Sequence, residues 1–166
     1  MSDSDASLAG YPGSAASAWQ ILSLAHDYHN SCTHLMMRFE GEEPQTLAPA
    51  RLLAIHAIEL YLNALMLDAG DTPQMVRGLQ HDLAGRAKRA IECGLALRPK
   101  TAGHLARLTS GKEYVAARYG PELVGSQSEL NRLTATLKEV SERVSAIVAA
   151  NTEARFASRA PRTEQA

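Results

Sequence analysis

Rings are scarce in this chain: one Trp, two Phe and five Tyr amount to 5% of its 166 residues. A core without rings must be built from Leu, Ala, Ile, Val and Met. That favours helix over sheet, because strands draw on β-branched and aromatic side chains. Cysteine is almost absent too. Cys32 and Cys93 fall on different predicted helices, so no disulfide scaffold is implied and a reducing cytosol fits. There is no basic excess: Lys+Arg 17 stands against Asp+Glu 18, a net charge of -1, which argues against a large nucleic-acid footprint while leaving room for a local basic patch. The opening stretch MSDSDASLAGYPGSAAS is acidic and rich in small residues, unlike a signal peptide. The one long apolar run, Leu52 to Leu67, is short for a membrane span and is interrupted by His56, Glu59 and Asn63. A soluble cytoplasmic protein with no membrane part is expected. No phosphate-cradling Gly-rich loop, dinucleotide turn, Ser-centred nucleophile elbow or internal repeat is present, and no cofactor is expected.

What is there is an ordinary globular composition, 45% hydrophobic and 21% charged, and a length that suits one domain. Residues 1–13 and 157–166 lack periodicity and read as disordered tails around a helical domain at 14–156. Apolar spacing predicts a first helix over about 15–39 and a second over 47–69, apolar around most of its circumference and therefore central. A third starts between Pro73 and Asp82 and runs to about Glu92, with the stripe Leu83, Ala87, Ala90 and Ile91; Gly85 inside it suggests a close helix approach. A fourth covers about 100–110, followed by a turn or short helical piece from Tyr114 to Gly120. The last, about 127–156, carries Leu130, Leu133, Leu137, Val140, Val144 and Ile147 in alternating steps of three and four. Such a seam reads first as packing within a bundle and second as a dimer contact. The expected fold is all-α, an up-and-down bundle of four to five helices.

An acid inside an apolar run must point out of it or find a partner inside the protein. Glu59 is that acid, and His81, in Gln80-His81-Asp82-Leu83 at the mouth of the third helix, is its expected partner. Asp82 itself suits a helix N-cap. The residues Ala57, Glu59, Leu60, Tyr61, Leu62, Ala64 and Leu65, followed by His81-Asp82-Leu83, resemble the HEPN domain family; Asn63 stands where that family commonly has Lys. Ala90, Gly94-Leu95 and Ala117-Arg118-Tyr119 extend the resemblance over roughly 15–150. It implies a four- or five-helix bundle, commonly homodimeric, associated with nucleotides, RNA, or antiviral and toxin systems. Some members are metal-independent endoribonucleases, others non-catalytic binding modules or partners of nucleotidyltransferases.

The ribonuclease members carry an Arg, usually a polar residue next, and a His after four to six intervening positions in the final helix, where the His moves a proton at the 2′-OH and the Arg stabilises developing phosphorane charge. This chain has no His in its last predicted helix. Arg77 and His81 are one residue too close, and Arg51 to His56 and Arg98 to His104 lie in the wrong helices. Glu59 and His81 remain as weak catalytic candidates, though a structural tie is the simpler reading. With Arg118 and Tyr119 they are expected to line one ligand pocket, Arg118 holding a phosphate or carboxylate. His26, His29 and Cys32, spaced i, i+3, are weak metal candidates next to the simpler reading of a polar helix flank. Arg86, Lys88 and Arg89 read as a solvated basic face. The expectation is a catalytically degenerate HEPN-like bundle, a dimeric nucleotide- or RNA-associated or protein-binding module with a nucleotidyltransferase as one candidate partner. The alternatives are an endoribonuclease or toxin component, or a purely structural interaction bundle.

Overall fold

A helix that is apolar on nearly every side can only sit in the middle of a molecule, and α2, Ala48–Asp68, does so. The computed structural model describes residues 10–38 and 47–159. Around α2 lie α1 (Ala18–Arg38), α3 (Pro73–Gly78), α4 (Leu83–Glu92), α5 (Pro99–Ser110), α6 (Glu113–Tyr119) and α7 (Leu130–Arg159), with a 3₁₀ segment, Pro121–Ser126, before α7. The described residues contain no strand, so the fold is an all-α helical bundle. Its core is built as the composition requires, from Leu, Ala, Ile and Val, with Tyr61 the one fully buried aromatic ring among the described residues.

Cross-helix bonds give the directions. Cys32 meets Ala50 while His26 meets Tyr61, so α1 runs opposite to α2. Arg51 reaches Ser128 and Asp68 meets Asn151, so α2 and α7 run the same way. Thr101 binds Glu139 and His104 binds Thr136, so α5 opposes α7.

Local chemistry explains the helix ends. Ser17 and Gln20 form a reciprocal cap at the start of α1, the Ser17 amide donating to Gln20 Oε1 at 2.8 Å and the Gln20 amide to Ser17 Oγ at 3.2 Å. Gly70, at φ 101°, turns the chain out of α2. Thr72 and Asp82 cap α3 and α4. Here the structure differs from the single third helix expected from the sequence. Gln80 adopts φ 48°, a left-handed conformation that breaks the segment into two helices, while the expected short piece after Tyr114 is α6. Gly85 is not a site of helix approach either: a Cβ there would lie 2.5 Å from the capping Asp82 carboxylate.

The α7 seam lies inside the chain. Leu133, Leu137, Val140 and Val144 are buried in the common core, with Ile147 packed at its edge. The helix ends at Arg159, so residues 157–159 belong to it and not to a tail. At the other end, residues 10–13, expected to be disordered, enter a turn closed by Ser14 N to Tyr11 O at 2.9 Å, with the Tyr11 ring under Arg77 at 4.5 Å. The remainder of both expected tails, 1–9 and 160–166, lies outside the described residues. α2, Ala48–Asp68, matches the helix expected over 47–69. By length and composition it is apolar enough to cross a membrane, yet α1, α4, α6 and α7 cover most of it.

Candidate functional site

Glu59 is 7% exposed, and its two oxygens have different partners. Oε2 lies 3.3 Å from His81 Nδ1, as expected, while Oε1 lies 3.3 Å from Arg86 Nη2. Arg86 is only 2% exposed. Its Nε donates to Asn63 Oδ1 at 2.7 Å, Nη1 to the Leu79 and Asp82 carbonyls, and Nη2 to the Val76 carbonyl. The break at Gln80 turns two of these carbonyls, Val76 and Leu79, toward α4. Sequence reasoning missed Arg86 by placing it on a solvated basic face. The spacing could have shown it, since Arg86 stands three residues after Leu83 and four before Ala90, on the buried stripe. Of the other two residues of that face, Lys88 is exposed and Arg89 binds Asp71 through two bonds of 2.8 and 2.6 Å.

His81 faces outward, its side chain 53% exposed, and stacks on Tyr114 at 4.0 Å between centroids and 24° between planes. The Tyr114 hydroxyl accepts from Arg118 Nη1 at 2.8 Å. The Arg118 guanidinium carbon is 5.1 Å from the Tyr114 and Tyr119 ring centres alike, and Tyr119 is 70% exposed. Glu59 and His81 line a cavity of about 600 Å³ together with His56, Asn63 and Arg86. Arg118 and Tyr119 do not line it, which corrects the expectation of one pocket for all four. They extend the site along the outer side of α6, with Tyr114, unforeseen from the sequence, as the link. His56 is a second addition. It stands edge-on to Tyr28 at 4.6 Å, and its buried Nδ1 has no protein partner. Burial lowers its pKa against the opposing pull of Glu59.

None of the three Arg/His spacings becomes a pair. Arg51 donates to the Ser128 carbonyl at 2.8 Å, away from His56. Arg98 binds Glu139 at 2.6 Å while His104 binds Thr136 at 2.8 Å. Arg77 covers Tyr11 while His81 stacks on Tyr114. Nor do His26, His29 and Cys32 converge. Both imidazoles turn to the Tyr61 hydroxyl, whereas the Cys32 thiol is buried and donates to the Ala50 carbonyl at 3.2 Å. Burial pushes that thiol up to about 11, far from thiolate chemistry at neutral pH. Among the described residues no group of three or more His, Cys, Asp or Glu is placed to hold a metal ion.

Compared with protein-family models, curated proteins and solved structures, the chain matches none. The functional reading therefore rests on the site itself. Chemically, the arrangement offers a neutralised carboxylate, an exposed imidazole and a row of rings interleaved with a guanidinium.

Proposed function

We propose that the chain is a HEPN-like, catalytically degenerate bundle that binds a nucleotide or a short single-stranded RNA segment on the His81–Tyr114–Arg118–Tyr119 face without cleaving it. The observation that carries this reading is the stack itself. Exposed rings accept bases by their faces, and an adjacent guanidinium accepts phosphate oxygens by its fork of donors. The lack of cleavage is supported by the absence of any His in α7 and by Glu59, whose charge is held by Arg86. The resemblance noted above adds self-association to the proposal.

Anisotropy of a labelled single-stranded oligoribonucleotide, with adenosine monophosphate as competitor, tests it. Arg118→Ala and Tyr119→Ala, both on exposed positions, are expected to weaken binding about tenfold or more, in line with ~1–3 kcal/mol per stacked base, while melting temperature stays unchanged. Metal-free cutting of the same RNA, lost in His81→Ala, would replace this reading with that of an endoribonuclease. A sedimentation mass at the monomer value at high concentration would remove the self-association.

A further inference from the structure

A second cavity, about 1040 Å³ and so larger than the one at Glu59, has no part in that site. Glu59 and Tyr61 are two residues apart on α2 and, at about 100° per residue, point to nearly opposite sides. Behind Tyr61, α1 and α7 both pack on α2 but diverge from each other, leaving a groove between them floored by Tyr61 and Leu137.

One end of the groove is polar. The Tyr61 hydroxyl lies 2.8 Å from His26 Nδ1 and 3.2 Å from His29 Nδ1, and His26 Nε2 is 3.4 Å from Ser145 Oγ. A phenol has one proton, so it donates to one imidazole and accepts from the other. A neutral ring that accepts from the phenol carries its own N–H on Nε2. Burial pushes Tyr61 up to about 12, which keeps the phenol proton in place. Ser141 and Ser145 add hydroxyls on the α7 wall. The charged groups that line the groove are Lys138 and Glu142, paired with each other on the rim, and the titratable ones are His26, His29, Tyr61 and Cys32. His29 is held below its ordinary value by burial first and then by His26 and Lys138.

The other end is apolar. Met36, Met37, Leu47 and Leu130 close it, ten residues along α1 from His26, or about 15 Å at the rise of an α-helix. Methionine walls adapt to the shape of what they hold. A polar end that offers imidazole and hydroxyl donors and an apolar end, separated by the length of an extended chain, describe one class of occupant.

We propose that the groove between α1 and α7 binds a small amphipathic carboxylic acid, its carboxylate against His26 and His29 and its apolar chain along Met36, Met37, Leu47 and Leu130.

Dodecanoate, kept below its micellar concentration, is the probe, and dodecanol is its uncharged counterpart. In an NMR titration of the full chain, dodecanoate is expected to bind saturably at one site. It should shift the His26 and His29 imidazole and the Met36 and Met37 methyl signals while leaving His56 and His81 unmoved. Dodecanol should bind at least tenfold more weakly. Met37→Asp, on an exposed position, should weaken dodecanoate at least tenfold with the fold intact. Tyr61→Phe, which removes the hydroxyl that holds both rings, should weaken it as well. If Tyr61→Phe does not fold, the Met37→Asp and dodecanol arms still decide. Equal binding of dodecanol overturns the carboxylate assignment. Uptake that does not saturate, or that Met37→Asp leaves unchanged, is adventitious uptake of an amphiphile only and overturns the site.

Discussion

Arg86 donates to Asn63, Leu79, Asp82 and Val76 and forms an ion pair with Glu59, so its guanidinium is surrounded by acceptors. A buried ion pair contributes little net stability over an apolar substitute, but removing one partner strands the other charge. Arg86→Ala is therefore expected to cost about 3–5 kcal/mol in urea unfolding, whereas His81→Ala, at a half-exposed position, should cost about 1 kcal/mol or less. Equal costs would show that His81, not Arg86, is the partner that matters to Glu59. Asn63 belongs to the same arrangement, since a Lys there would place a second cation against Arg86. Two other buried groups, each with its own partners, set the acid sensitivity. His104 is held at about 4, against an ordinary 6.5, by burial first and then by Arg132 and Arg107. Desolvation would raise Glu139, but hydrogen bonds from Thr101 and Arg98 hold it at about 2, against 4.5. Both groups have depressed values in the folded state, so in each window the unfolded chain takes up a proton that the folded chain refuses. Stability should fall with pH in two legs. His104 removes on the order of 3 kcal/mol between pH 6.5 and 4, and Glu139 adds a second loss between 4.5 and 2. In a pH series of urea unfolding, His104→Leu should flatten the upper leg and spare the lower; an unchanged upper leg would refute the assignment.

At the scale of elements, the sequence was most legible where one period ran unbroken. The circumference of α2 and the three-four steps of α7 both lead directly to buried helices. Legibility failed at the α3–α4 break, because a left-handed Gln80 has no signature: Gln is not a residue that favours positive φ, and only the carbonyls gathered around Arg86 explain it. Gly85 was misread for a related reason. Its neighbour in space is Asp82, three residues earlier in its own cap, so the glycine leaves room for the capping carboxylate and not for another helix. The seam of α7 allows a clear experiment. Val140 is buried among residues of the same chain, so Val140→Asp should abolish the cooperative helical signal in circular dichroism. A folded monomeric variant would instead mean that the seam faces a second copy.

At the scale of the whole molecule, the chain puts two unlike recesses on opposite sides of one central helix: the ion-paired cavity at Glu59 and the wider groove behind Tyr61. The first could be anticipated in part, because Glu59 and His81 stand out against apolar neighbours. The second could not, since it depends on how far α1 and α7 separate, a property of packing geometry that no residue spacing encodes. That separation also divides the molecule unevenly. α2 packs on α1, α3, α4, α6 and α7, and α7 on both α2 and α5, whereas α1 packs extensively on α2 alone and touches α7 sparingly. The amides of α1 should therefore exchange with deuterium through an opening smaller than global unfolding, as a cooperative unit of their own. The amides of α2 and α7 should wait for the whole chain to open. Uniform protection across all three would mean that α1 is as firmly held as the rest. In that picture the wall of the groove is the part of the protein that comes away first, and anything bound between α1 and α7 would slow its exchange.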